Sequence, residues 1–173
     1  MVQIGNEITN GLLWDLGGPY RSGGSWANMA ALINQGISAV KAVSSSTKIM
    51  IHLDSGGSWS TTSNWISKFI ANGGAWSSVD AMGFSCYPMW QGSFSNLQSV
   101  LSGMRSSYSS KKVWIAETAY YWTTNQAGHG GSQVPSCLEG LRRGSPSCWM
   151  QRRHPPPAGS SSSAAPMARR GRR

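Results

Sequence analysis

Apolar residues gather along the chain in short runs at 2–4, 48–53, 81–87 and 112–116, rich in Val, Ile, Met and Phe and too short for helices. Length and side-chain type predict strands buried on both faces, as in a parallel sheet. Between the runs the apolar spacing changes to three and four. Met29, Leu32, Ile33, Ile37, Val40 and Val43 predict a helix over 28–43, with Gly36 a weak point in it. Trp65, Ile66, Phe69 and Ile70 predict a second over 62–71, opened by Thr or Ser and closed near Asn72-Gly73-Gly74. Leu97, Val100, Leu101, Met104 and Tyr108 predict a third over 95–108. The order βαβαβαβ predicts an α/β fold, either a doubly wound sheet or part of a (β/α)8 barrel.

The pattern ends near Gln126. Residues 137–173 carry arginine pairs, three consecutive prolines and a serine run, and they cannot bury enough surface to offset the entropy of ordering them. The division is therefore a folded unit over 1–126 and a disordered Arg/Ser/Pro-rich tail over 127–173. Charge follows the same division: of the net +9, residues 1–136 hold seven Lys/Arg against five Asp/Glu, and 137–173 hold eight Arg against one Glu. The folded part is nearly neutral. Only 12% of all residues are charged while nine are Trp, a composition suited to neutral, hydroxyl-rich ligands.

Polar chemistry recurs where each strand ends: Asn6-Glu7, His52-Leu53-Asp54, Tyr87-Pro88 and Glu117-Thr118. Barrel enzymes place their active sites at that end of the strands. Three βα units separate Glu7 from Glu117, which puts the two across the mouth of a barrel. There they could approach the ~5–5.5 Å that lets one carboxyl protonate a glycosidic oxygen and the other attack the anomeric carbon. Neither a GxGxxG nor a GxxxxGK[ST] motif favours nucleotide binding.

Four segments carry a resemblance: Met-Val-Gln-Ile-Gly-Asn-Glu-Ile-Thr-Asn-Gly-Leu-Leu-Trp, Ile-Met-Ile-His-Leu-Asp, Gly-Phe-Ser-Cys-Tyr-Pro-Met-Trp and Trp-Ile-Ala-Glu-Thr-Ala-Tyr. In this order and spacing, over residues 1–126, they resemble the arabinogalactan endo-β-1,4-galactanases of glycoside hydrolase family 53. The resemblance implies a retaining (β/α)8-barrel hydrolase of β-1,4-galactan, with strands four to seven present here and galactan or arabinogalactan as partner. It makes Glu7 the acid/base, Glu117 the nucleophile and Asn6 a ligand of the substrate 2-hydroxyl. Tyr87 would orient the nucleophile, Trp90 and Trp122 would stack on sugar rings, and His52 and Asp54 would line the cleft. His52, between apolar neighbours, also reads as a satisfied interior residue. Trp65, Trp76 and Trp114 read as packing residues.

No cofactor is expected, and no metal from Cys86, Cys137 and Cys148, which lack ligand spacing; Cys86 reads as a buried small residue, and a Cys137–Cys148 disulfide stays open. A secreted location follows from the resemblance alone. Opening directly on a strand, the chain is expected to lack an upstream part, signal peptide included. Exposed strand edges and helix faces are then expected to drive self-association. No run is long enough for a membrane span. Nucleic-acid binding through the tail arginines lacks any recognition motif and is not expected. The alternative to catalysis is a carbohydrate-binding or interaction module that keeps the aromatic contacts without hydrolysis.

Overall fold

The computed structural model describes residues 1–119; the expected boundary at 126, the tail, Trp122, Cys137 and Cys148 lie outside the described residues. The strands β1 (Val2–Ile4), β2 (Ile49–Leu53), β3 (Ala81–Ser85) and β4 (Lys112–Glu117) form one parallel sheet in chain order. Around it lie α1 (Trp14–Gly17), α2 (Trp26–Val43), α3 (Trp59–Ala71), α4 (Pro88–Gln91) and α5 (Phe94–Ser107).

Strand order decides between the two architectures left open by the sequence. A doubly wound sheet reverses direction to put helices on both faces, whereas here every crossover steps to the next neighbour. With the usual right-handed crossover, that progression puts α2, α3 and α5 on one face, as in a segment of a (β/α)8 barrel. α3 packs between α2 and α5.

Helix starts depart slightly from the apolar periodicity. α2 begins at Trp26 because the Ser25 hydroxyl accepts from the Asn28 N–H at 3.0 Å. α3 begins at Trp59 because Ser58 does the same for the Thr61 N–H at 3.3 Å. These caps extend each helix beyond its apolar stripe.

Period-two alternation splits the sheet into two faces. Ile49, Ile51 and Leu53 of β2 and Met82 and Phe84 of β3 join Met29, Ile33, Trp65, Ile66, Phe69, Val100 and Met104 in the core beneath the helices. Gln3, Met50, His52, Gly83, Ser85, Trp114 and Ala116 alternate onto the other face. Full burial holds for β2 and β3; in β1 and β4, each paired on one side only among the described residues, it does not. Trp114, expected to pack, is 50% exposed, because it points away from the helix-covered face that Val113 occupies. Trp65 and Trp76 do pack: Trp65 stacks on Phe69 at 5.2 Å and Trp76 meets Tyr108 edge-on at 5.2 Å. Cys86 is buried, which pushes its thiol pKa up.

The amino ends of the strands are tied by Asp80. Its backbone donates to Ile49 O and accepts from Lys112 N–H, while its carboxylate accepts from Ile49 N–H at 2.9 Å and Lys48 Nζ at 3.0 Å. Burial alone would raise this carboxyl's pKa; the Ile49 amide and Lys48 outweigh it and hold it below the usual value. The folded pKa is thus lower than the unfolded one, so the contribution is present above the unfolded pKa and lost as pH falls through the folded one. Asp80→Ala, which orphans the Ile49 N–H, will cost about 1–2 kcal/mol at neutral pH and progressively less below about pH 4, read by urea denaturation.

Candidate active site

Glu7 follows β1 in a conformation few side chains adopt. Its φ of 51° and ψ of 46° place a non-glycine residue in the left-handed region, two residues after Gly5 at φ 74°. Such strain persists only where neighbours over-determine it. Here the turn Ile8–Asn10 is pinned by buried Ile8, whose carbonyl accepts from Trp65 Nε1–H at 3.2 Å, and by Thr9, whose hydroxyl accepts from the Asp54 N–H at 3.1 Å. α3 and the end of β2 thereby fix the direction in which the Glu7 carboxyl leaves β1.

Glu117 reaches the same place by a different device. Plain alternation along β4 would put it with Val113 and Ile115, toward the helices. The register shifts between Phe84 and Ser85, so that Ile115 pairs with Phe84 but Glu117 with Ser85. The bulge skips Ala116 and turns the Glu117 side chain to the face that carries His52 and Ser85.

The two carboxyls converge over His52. One oxygen of Glu7, one of Glu117 and a ring nitrogen of His52 all lie within 4.8 Å of one another. Ser85 Oγ lies 2.6 Å from Glu7 Oε1 and 2.9 Å from His52 Nε2. His52 Nδ1 stands 3.0 Å from Asn6 Oδ1, 3.2 Å from Gln3 Nε2 and 3.9 Å from Glu117 Oε1. The Tyr87 hydroxyl donates to Glu117 Oε2 at 3.0 Å. That bond pushes the Tyr87 pKa up, with burial and then the charges of Glu117 and Glu7 adding to the effect.

His52 is fully buried and both ring nitrogens are taken by protein groups, so it lies beneath the cleft and not on its lining. Glu7, His52 and Glu117 are the kind of set that holds a cation. Binding one through the imidazole would mean displacing Ser85 or the Asn6–Gln3 pair. Asn6 spends its carbonyl on Gln3 and His52, which leaves its amide N–H groups for other partners.

The remaining predicted residues sit around this centre. Trp90 is 69% exposed, its ring 5.1 Å from that of Tyr87. Gln91 bridges the loops, accepting from the Tyr87 N–H and donating to Asp54 O at 2.6 Å. Asp54, with Thr9, Asn10, Ser55, Ser58 and Gln91, lines an open pocket of about 310 Å³. Trp122 lies outside the described residues. Gln3, Ser85 and Gln91 were not singled out from sequence. Gln3 and Ser85 could have been, as polar positions on the face of their strands that also carries His52.

Residues 1–142 match the profile of Glycosyl hydrolase family 53. An uncharacterized protein of Niallia circulans, from the region 5′ of bgaB, is 40% identical over 130 residues, 73% of this chain and 34% of its own length. Arabinogalactan endo-β-1,4-galactanase A of Aspergillus niger is 39% identical over 123 residues, 68% of this chain and 34% of its own. The solved GH53 catalytic domain of Ignisphaera aggregans superposes with a TM-score of 0.67 at 32% identity, covering 83% of this chain and 41% of that one. The chain thus spans about a third of the length of these curated relatives. With a parallel sheet that fits part of a (β/α)8 barrel, and a family profile covering most of its length, the chain belongs to glycosyl hydrolase family 53.

Proposed function

We propose that this chain carries the catalytic pair of an endo-β-1,4-galactanase, Glu7 as acid/base and Glu117 as nucleophile, acting with retention of configuration. The observation that carries this reading is the approach of the two carboxyls to within 4.8 Å at the carboxyl ends of β1 and β4. Inverting glycosidases hold their carboxyls about 6.5–9.5 Å apart to admit a water between them, and retaining ones about 5–5.5 Å. This spacing supports direct attack over attack by an intervening water.

Each neighbour suits its role. Tyr87 donates to one Glu117 oxygen and fixes the carboxylate for attack by the other. The Asn6 amide can donate to a sugar 2-hydroxyl, a contact that strengthens as the oxocarbenium ion forms. Exposed Trp90 offers a face to the C–H side of a galactose ring, and Asp54 with its hydroxyl-lined pocket offers acceptors to a neighbouring sugar. Trp122 is assigned a second stacking face on the resemblance alone. The name borne by the Aspergillus niger relative specifies galactan as substrate, which points to a polymer met outside the cell.

The test is reducing-end release from unbranched β-1,4-galactan by the full chain beside its Glu117→Gln variant. The proposal expects release by the parent only. Equal release by both, or none by folded parent, would contradict it.

A further inference from the structure

Tyr87 has no strand neighbour for its peptide. β3 ends at Ser85; the Cys86 N–H still donates to Glu117 O at 2.9 Å and the Cys86 carbonyl accepts from the Thr118 hydroxyl at 2.7 Å, but one residue on the ladder has run out. The Tyr87 N–H is taken instead by the Gln91 side-chain carbonyl, at the far end of α4, while the Gln91 N–H donates to Tyr87 O at 2.9 Å. The amide nitrogen of the same side chain donates to Asp54 O at 2.6 Å. Asp54 is held from its other side by Thr9, whose hydroxyl accepts from the Asp54 N–H at 3.1 Å.

These bonds join end to end. From the turn behind Glu7 they run through Thr9, Asp54, Gln91 and Tyr87 and, by the tyrosine hydroxyl at 3.0 Å, to Glu117 Oε2. The loops after β1, β2 and β3 are thereby tied to the end of β4. Only a side-chain amide completes this path, since one end must accept from a peptide N–H and the other donate to a peptide carbonyl, without charge. Two glycines let the Asp54 loop come close enough: a Cβ on Gly57 would collide with the Gln91 carbonyl oxygen, and one on Gly56 with Ser85 O.

We infer that Gln91 is a positioning residue that locks Tyr87, and through it the Glu117 carboxylate, to the Asp54 loop that lines the pocket. The inference rests on the reading of Glu117 as nucleophile. At its acceptor end Gln91 fixes the peptide of the tyrosine whose hydroxyl aims Glu117. At its donor end it fixes the Asp54 peptide, and with it the wall of the pocket offered to a sugar. Loss of the first end bears on kcat, because attack needs the carboxylate in place; loss of the second bears on KM.

The two ends can be removed one at a time. Gln91→Glu keeps an acceptor for the Tyr87 N–H and loses the donor to Asp54 O. Gln91→Lys keeps a donor and loses the acceptor, and Gln91→Met keeps neither. The first readout is hydrogen exchange at the Tyr87 amide in the full chain. Cys86-Tyr87 is the one Cys-Tyr pair in the sequence, so 13C-carbonyl cysteine with 15N-tyrosine marks that N–H with a single doubly labelled resonance. The Tyr108 N–H at the end of α5, bonded to Met104 O at 2.8 Å, is the reference for overall stability. Relative to it, Tyr87 exchange is expected to stay within about threefold of the parent in Gln91→Glu and to rise at least about tenfold in Gln91→Lys and Gln91→Met. Should Gln91→Met fail to fold, the other two variants still decide. Equal exchange in Gln91→Glu and Gln91→Lys overturns the bridge.

A kinetic arm separates positioning from packing. On β-1,4-galactan, Gln91→Glu is expected to raise KM by more than it lowers kcat. Gln91→Lys is expected to lower kcat at least about tenfold, part of the ~10²-fold that a 1 Å misplacement can cost, with a smaller change in KM. A purely structural residue would reduce the active fraction, lowering apparent kcat with KM unmoved in both variants. That result, or the same split in both, overturns the positioning role. If the parent releases no reducing ends, the galactanase reading fails, while the exchange rates still decide the bridge.

Discussion

With Glu117 as the proposed nucleophile, Glu117→Gln will lower kcat on β-1,4-galactan by more than about 10⁴-fold while leaving the fold intact, because it removes that group and little else. The replacement amide is nearly isosteric, and its carbonyl can still accept from the Tyr87 hydroxyl that now meets Glu117 Oε2. What it cannot do is attack an anomeric carbon to form a stable ester. A second consequence separates this account from a general loss of structure. The bond to the Glu117 carboxylate is the first cause of the raised Tyr87 pKa and its charge adds to it; a neutral amide accepts more weakly and carries no charge, so in the variant this phenol will ionise at lower pH than in the parent. An ultraviolet difference titration reads that shift directly.

Glu7→Gln will cost about 10²–10⁴-fold on galactan, the range of general acid catalysis, and will do so unevenly across substrates. An alkoxide leaving group needs the proton, whereas dinitrophenolate leaves without it. On the activated glycoside the first displacement should therefore proceed, and the second should stall for want of a base to activate water. The glycosyl ester on Glu117 will accumulate, visible as an adduct of one substrate glycone in intact-mass spectra. Uniform slowing without adduct would mean that Glu7 does not serve both steps.

Much of this site was legible in the sequence, and what was missed has identifiable physical causes. The four strands and the three long helices followed from apolar spacing, because a parallel sheet under helices leaves continuous runs and three-four stripes, whereas the short α1 and α4 carry no such stripe. The choice between a doubly wound sheet and a barrel segment was not legible from spacing alone, since both share the βα alternation; it depends on which strand pairs with which. Trp114, expected to pack, is half exposed because strand alternation puts it on the face without helices. Of the two readings of His52, cleft lining and satisfied interior residue, its burial and its two bonded ring nitrogens fit the second. Its partners, Ser85 and Gln3, looked like ordinary strand residues because hydrogen bonding across three strands has no signature within any one of them.

Backbone devices were hidden more deeply still. Glu117 lies on the wrong face of β4 by simple alternation, and only the bulge opposite Ser85 turns it inward. Glu7 holds a left-handed conformation that no local preference for Glu supplies; tertiary contacts at Ile8 and Thr9 impose it. A sequence motif could name both glutamates as strand-end carboxyls. Their separation, on which the proposed retention rests, had to come from the fold.

Retention of configuration would show in the anomeric form of the first product. Unbranched β-1,4-galactan is added to the full chain and the new reducing ends are followed by proton nuclear magnetic resonance before mutarotation. Carboxyls within 4.8 Å of each other predict that the β-anomer appears first and the α-anomer grows in later by equilibration. Initial release of the α-anomer would contradict the account, because it would require a water between Glu7 and Glu117 that this spacing excludes.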